Sequence, residues 1–236
     1  MMSGKRWGYV VQFFCLLVFL GMSPFLIKMD GRKTMSVSSD SVRSQNVSDE
    51  VKPVVALTFD DGPNASSTPI LLDGLKERKV RATFFLIGEN VEKDENEKIV
   101  KRMYEEGHLI GNHTYRHVDL SKISGREAEK EIKTTDEAIK KITGHETEFI
   151  RPPFGAMPEG EEDPDKIYVK WTVDSLDWVT KDTEKIVEKV TADTKEGDVI
   201  LMHDCYGESV EAALQIVDIM EKQGYEFVTA DELIIN

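Results

Sequence analysis

From Pro53 onward, short apolar runs of strand length alternate with longer charged segments of helical period. Seven runs predict strands: Pro53–Asp60, Arg81–Gly88, Leu109–Asn112, Glu148–Arg151, Ile167–Asp174, Asp198–His203 and Tyr225–Thr229. Most are rich in Val, Ile and Phe without polar alternation, the pattern of strands covered on both faces. Between them, periodic segments predict helices over Thr68–Lys79, Asp94–Glu106, Ser124–Ile142, Thr183–Lys195 and Glu208–Gln223. Thr68 before Pro69 and Asp94 supply N-cap chemistry, while Gly107 and Gly144 supply stops. Strands alternating with helices call for an α/β fold with a mainly parallel sheet, either doubly wound or closed as a barrel. In both architectures function gathers at the carboxyl ends of the strands.

The first residues break this pattern. Lys5 and Arg6 precede an apolar stretch from about Gly8 to Ile27. A short basic segment before roughly 20 apolar residues reads as a secretory signal peptide or an uncleaved membrane anchor, which places residues 1–28 outside the fold. Residues 29–52 are Ser-rich with few large apolar groups and are expected to form a flexible linker. The expected globular domain is therefore 53–236, with the membrane as partner of the N-terminal segment.

Charge narrows the partners. The 236-residue chain carries 30 Lys+Arg against 44 Asp+Glu, a formal net charge of −14. Residues 1–28 hold three of the bases and no acid, so the remainder has 27 bases (30 less three) against 44 acids, a net of −17. Such an acidic domain is not built to neutralise phosphates, and no nucleic acid is expected as a ligand. Two cysteines, Cys15 and Cys205, supply neither a disulfide framework nor a thiolate zinc site.

Five polar clusters close predicted strands. Thr58-Phe59-Asp60-Asp61-Gly62-Pro63 places adjacent carboxylates after an apolar run, where like charges repel unless a cation neutralises one. In Asn112-His113-Thr114-Tyr115-Arg116-His117 two histidines four apart could share one face of a helical turn and chelate an ion. One Asp with two His leaves coordination positions open to water, which points to hydrolysis. Neutral imidazoles with a carboxylate suit Zn²⁺, Co²⁺, Ni²⁺, Mn²⁺ or Fe²⁺. Arg151-Pro152-Pro153-Phe154-Gly155 withholds two backbone donors and is expected to leave those of Phe154 and Gly155 free for a ligand. Asp174-Ser175-Leu176-Asp177-Trp178 sets acids beside an aromatic, and Leu201-Met202-His203-Asp204 ends a strand with a histidine. Of the five histidines, His108 and His145 adjoin glycines at helix ends and read as surface or capping groups.

TFDDGP, HTYRH, RPPFG, DSLDW and LMHD, in this order, resemble the five motifs of the polysaccharide deacetylase family, the NodB-homology carbohydrate esterases. The resemblance implies a distorted (β/α) barrel and metal-dependent removal of acetyl groups from N-acetylated sugars. It implies Asp60 as general base, Asp61, His113 and His117 as ligands of one divalent ion (zinc first), and His203 as general acid. Arg151 would hold Asp60, Asp174 would orient His203, and Phe154, Trp178 and Leu201 would contact substrate. Phe154 stands where relatives usually carry tyrosine, and the segment 156–166 is short and acidic where relatives carry a helix.

The expected substrate is the N-acetylglucosamine of peptidoglycan, acted on outside the cell by a monomer. Chitin oligomers and acetylated xylan are the alternatives with the same chemistry, and a catalytically dead glycan-binding protein is the alternative of another class. Asn46, Asn64 and Asn112 each begin an N-glycosylation pattern, and a glycan on Asn112 would crowd His113, which favours a bacterial origin.

Overall fold

The computed structural model describes residues 52–158 and 163–235; the expected signal or anchor of residues 1–28 and nearly all of the expected linker lie outside them. Eight strands form one sheet: β1 Val54–Asp60, β2 Thr83–Leu86, β3 Leu109–Asn112, β4 Phe149–Ile150, β5 Ile167–Tyr168, β6 Val173–Asp174, β7 Val199–His203 and β8 Glu226–Val228. Eight helices accompany them: α1 Thr68–Arg78, α2 Gly88–Val91, α3 Glu97–Glu105, α4 Gly125–Thr143, α5 Asp177–Thr180, α6 Thr183–Asp193, α7 Gly207–Lys222 and α8 Ala230–Ile235.

The strand order is β5-β4-β3-β2-β1-β7-β6, and β8 pairs with the first half of β1. Every pairing is parallel. This is the expected (β/α) barrel in distorted form, a curved sheet whose edge strands β5 and β6 do not pair among the described residues. The predicted strand Ile167–Asp174 is two strands, with Val169–Thr172 between them. Arg151 Nε and Nη2 donate to the carbonyls of Val169 (3.3 Å) and Lys170 (3.2 Å), so these groups serve a side chain rather than a ladder.

Parity along β1 decides what faces the core. Val55, Leu57 and Phe59 pack with Leu71, Leu75, Val210, Ile216 and Val217 in the main apolar cluster, beneath α1 and α7. Thr58 and Asp60 take the other face. In β7 the partition repeats, with Ile200 and Met202 in the cluster and Leu201 and His203 opposite. A one-residue slip would exchange the two sets, so core and site fix the same register.

Helix ends follow local chemistry. In α4 Ser124 and Glu127 form a reciprocal capping box, and Gly144 closes the helix with φ 81°. The predicted Asp94 start is displaced to Asn96, whose buried side chain donates to Pro63 O (3.1 Å) and Asn90 O (2.7 Å). None of the described helices is long and apolar enough to cross a membrane.

Candidate metal centre and acid–base groups

β1 and β7 are in register at their ends, Asp60 opposite His203. Two neighbouring parallel strands therefore deliver a carboxylate and an imidazole to one edge of the sheet. Asp61 follows in a left-handed conformation (φ 71°), with its carbonyl held by Asn90 Nδ2 at 2.8 Å. β3 ends at Asn112 and hands on His113, and β4 ends at Ile150 and hands on Arg151.

Arg151 is wholly buried, an unusual place for a guanidinium unless it is fully paired. Its Nη1 donates to Asp60 Oδ1 (2.8 Å) and Thr58 Oγ1 (2.7 Å), and its plane lies 4.2 Å over the Phe85 ring. Burial nevertheless raises the Asp60 pKa above the usual carboxylate value; the Arg151 charge opposes that rise without cancelling it. Arg151 holds Asp60, as the resemblance implies, but does not bring its pKa below the ordinary value, because desolvation outweighs the guanidinium charge.

Asp61 Oδ1 lies 3.5 Å from His113 Nε2 and 3.3 Å from His117 Nε2. These three side chains offer ligand atoms within 4.8 Å of one another. His113 places Nδ1 against the Arg151 carbonyl at 2.6 Å, which turns Nε2 toward Asp61. Burial pushes its pKa down to about 3, so the ring is neutral and the close carboxylate is not an ion-pair partner. Asp61 Oδ1 is buried and accepts no hydrogen bond. A carboxylate oxygen without a donor, facing two imidazole nitrogens, fits a divalent cation and fits little else. The histidines do not share a helical turn: residues 113–117 form a loop in which Thr114 (φ 64°) and His117 (φ 54°) are left-handed.

One expected residue is displaced by three positions. The carboxylate against His203 is that of Asp177, not Asp174: Asp177 Oδ1 lies 2.7 Å from Nδ1, and Oδ2 accepts the His203 backbone N–H at 2.7 Å. Asp174 instead accepts the Leu176 N–H at 2.9 Å. Left-handed Leu176 (φ 57°) turns the chain so that Asp177 opens α5, fully buried. Burial draws the His203 pKa down, but the hydrogen bond and charge of Asp177, with Asp60 and Asp61 behind it, carry it up to about 9. Spacing could not choose between two acids of one motif; only the reversal at Leu176 does.

Phe154 (69% exposed) and Trp178 (52%) present aromatic surface, and Phe154 meets the His117 ring edge-on at 4.7 Å. Leu201 is buried on the face of β7 that ends in His203. The expectation for Gly155 fails, since its N–H donates to Pro152 O at 3.0 Å. His108 is no surface group either: buried, it accepts the Ala82 N–H at 3.1 Å, and burial lowers its pKa to about 4. His145 is exposed and stacks on Tyr104. Cys205 has a thiol raised by burial to about 12, which makes it unreactive. Thr58, a polar residue two before Asp60 on the same face of an apolar strand, accepts from Arg151 and donates to Ile200 O at 2.6 Å, a supporting role its strand parity signals.

A parallel α/β sheet with a paired carboxylate and a carboxylate-bound histidine at its carboxyl edge, beside an Asp-His-His cluster that could hold a metal ion, is the arrangement of a hydrolase site. Comparison with known proteins gives the family. The polysaccharide deacetylase family model matches residues 48–163. A peptidoglycan-N-acetylglucosamine deacetylase of Bacillus cereus is 42% identical over 186 residues, covering 75% of this chain and 67% of the relative. The peptidoglycan-N-acetylmuramic acid deacetylase PdaC of Bacillus subtilis is 38% identical over 194 residues, 82% of this chain but 41% of the relative. The solved structure of PdaC superposes with a TM-score of 0.74, covering 78% of this chain and 90% of that one, at 38% identity. A family 4 acetyl xylan esterase of Clostridium thermocellum, solved with a cobalt ion, superposes with a TM-score of 0.70 at 33% identity, covering 77% and 90%. The chain belongs to the polysaccharide deacetylase family.

Proposed function

We propose that this chain hydrolyses the acetamide of N-acetylglucosamine residues in peptidoglycan, releasing acetate and leaving a free amine on the glycan. The observation that carries the chemistry is the donorless Asp61 oxygen facing His113 and His117, beside the in-register pair Asp60 and His203. The support for the polymer is the relatives: one is named for N-acetylglucosamine in peptidoglycan, another for N-acetylmuramic acid in the same polymer. The related esterase named for xylan keeps acetylated xylan as the competing substrate.

Asp61, His113 and His117 would hold one divalent ion, zinc first. When bound, that ion supplies Lewis-acid polarisation of the acetyl carbonyl and lowers the pKa of water. Asp60 acts as general base through Oδ2, because Oδ1 is taken by Arg151. His203 acts as general acid from Nε2, with Nδ1 committed to Asp177. Its raised pKa keeps it protonated at neutral pH, the state needed to deliver a proton to the leaving nitrogen. Asp177 is a positioning residue, the role expected for Asp174. Trp178 and Leu201 line the acetyl group, and exposed Phe154 meets the sugar. Residues 1–28 direct export or anchor the chain on the wall side of the membrane, a reading supported by the basic-then-apolar pattern.

The test is acetate release from N-acetylglucosamine oligomers by the zinc-loaded chain. Asp60→Asn should retain zinc and lose about a hundredfold to ten-thousandfold in kcat, the usual scale of general-base catalysis. His113→Ala should lose zinc and turnover together. Undiminished turnover in Asp60→Asn would remove the base assignment.

A further inference from the structure

Helix α4 carries two buried acids, Glu131 and Asp136, which the reaction does not use. Glu131 reaches the loop that bears His113 and His117 directly, and Asp136 reaches it through Asn112 at the end of β3. Glu131 Oε2 accepts the backbone N–H of Arg116 at 2.8 Å, and Oε1 accepts Arg116 Nε (2.8 Å) and Nη2 (2.6 Å). Asp136 Oδ1 accepts from Asn112 Nδ2 at 2.8 Å; that same Asn112 side chain accepts the Thr114 N–H at 2.8 Å. The opposite side of the loop is held by α2: Gly88 N–H donates to Thr114 O (3.1 Å) and Glu89 N–H to Tyr115 O (2.9 Å).

This bracing has work to do. Thr114 and His117 both sit at positive φ, a strained conformation for a non-glycine residue that persists only where surrounding contacts over-determine it. His117 is also the more exposed of the two imidazoles, and among the described residues its ring makes no hydrogen bond like the one that fixes His113. Phe154 meets the ring and Thr114 Oγ1 accepts the Val118 N–H after it, while the residue before it is the one Glu131 grips at both main chain and side chain.

We propose that Glu131 is a positioning residue for the metal centre, holding Arg116 so that His117 keeps its left-handed backbone and its nitrogen stays within reach of the Asp61 carboxylate. The inference rests on the reading of Asp61, His113 and His117 as metal ligands. Glu131 touches neither metal nor substrate; it acts through the loop. Partners of this kind, one contact removed from a ligand, typically change metal affinity tenfold to a hundredfold when lost.

The experiment measures Zn²⁺ dissociation constants by competition with a chromophoric chelator for the full chain and four variants, with thermal melting of each metal-free protein. Glu131→Ala should raise the Zn²⁺ Kd tenfold to a hundredfold, and Glu131→Gln, which keeps one oxygen for the Arg116 N–H, by a smaller factor. Co²⁺-loaded Glu131→Ala should show an altered visible absorption band, because the His117 ligand is displaced. Ser124→Ala removes the α4 cap and should lower the melting temperature while leaving the Zn²⁺ Kd unchanged, which separates loss of helix stability from loss of positioning. His117→Ala reports on the underlying reading: if it binds Zn²⁺ as tightly as the unaltered chain, the metal-centre assignment itself falls, and this proposal with it. With that control intact, a wild-type Zn²⁺ Kd in Glu131→Gln and in Glu131→Ala overturns the proposal. Should Glu131→Ala fail to fold, Glu131→Gln alone decides it.

Discussion

His203 and its carboxylate show how one hydrogen bond sets a proton-transfer group. Asp177 holds Nδ1 and the His203 backbone together, and its charge lifts the imidazole to about 9 against the pull of burial. Asp177→Asn removes the charge and keeps a polar group of the same shape. The His203 pKa should then fall, so the alkaline limb of the kcat/KM profile moves to lower pH. Asp174→Asn should leave that limb in place, because among the described residues the Asp174 side chain bonds the Leu176 N–H in the same turn and not His203. A pH–rate profile of the two variants distinguishes them; an alkaline limb that moves in Asp174→Asn and stays in Asp177→Asn would reverse the assignment. The five motifs were legible as sequence, down to Asp60, Asp61, His113, His117 and His203. The choice between Asp174 and Asp177 was not, since it depends on one left-handed residue, Leu176, that carries no glycine to announce it.

At the scale of elements, Arg151 is the tie. From the end of β4 it bonds Thr58 and Asp60 on β1 and the carbonyls of Val169 and Lys170, spanning the segment that interrupts β5 and β6. Replacing it with methionine strands the Asp60 charge in a buried site. The expected cost is about 3–5 kcal/mol of stability, with loss of turnover, readable by urea denaturation and acetate release. The strands and long helices were foreseeable from apolar periodicity, and their ends shifted by only a few residues. What periodicity could not show was competition for backbone groups. The predicted strand Ile167–Asp174 breaks where Arg151 takes its carbonyls, and α3 begins at Glu97 after Asn96, whose side chain bonds Pro63 and Asn90 rather than capping the helix. The paired histidines looked helical by spacing, yet the loop that carries them is irregular and held by α2 and α4.

Across the described residues, the largest apolar cluster packs on one face of the sheet while the carboxyl edge concentrates charge. That division makes stability depend on both pH and metal. His108, buried against Phe84, has its pKa depressed by burial to about 4 from an ordinary 6.5. The unfolded chain binds this proton between those values and the folded chain does not, so His108 costs nothing above pH 6.5 and destabilises progressively as pH falls toward 4. The full effect is about 3 kcal/mol at roughly 1.4 kcal/mol for each pKa unit. Other buried groups, His113 among them, titrate in the same window, so the His108 contribution is read as a difference: the denaturant midpoint of the metal-free chain should fall relative to that of His108→Gln as pH drops from 7 to 4. In the opposite direction, Zn²⁺ at a hundred times its Kd should add about 2.7 kcal/mol, reversed by chelator.

Metal-dependent removal of acetyl groups from N-acetylglucosamine in peptidoglycan is tested most directly by mass spectrometry of the purified polymer, incubated with the zinc-loaded chain and digested to muropeptides. Acetyl-mass loss on N-acetylglucosamine, absent with Asp60→Asn and after chelation, is the predicted result. Intact muropeptides alongside acetate release from acetylated xylan, or equal loss with Asp60→Asn, would contradict it.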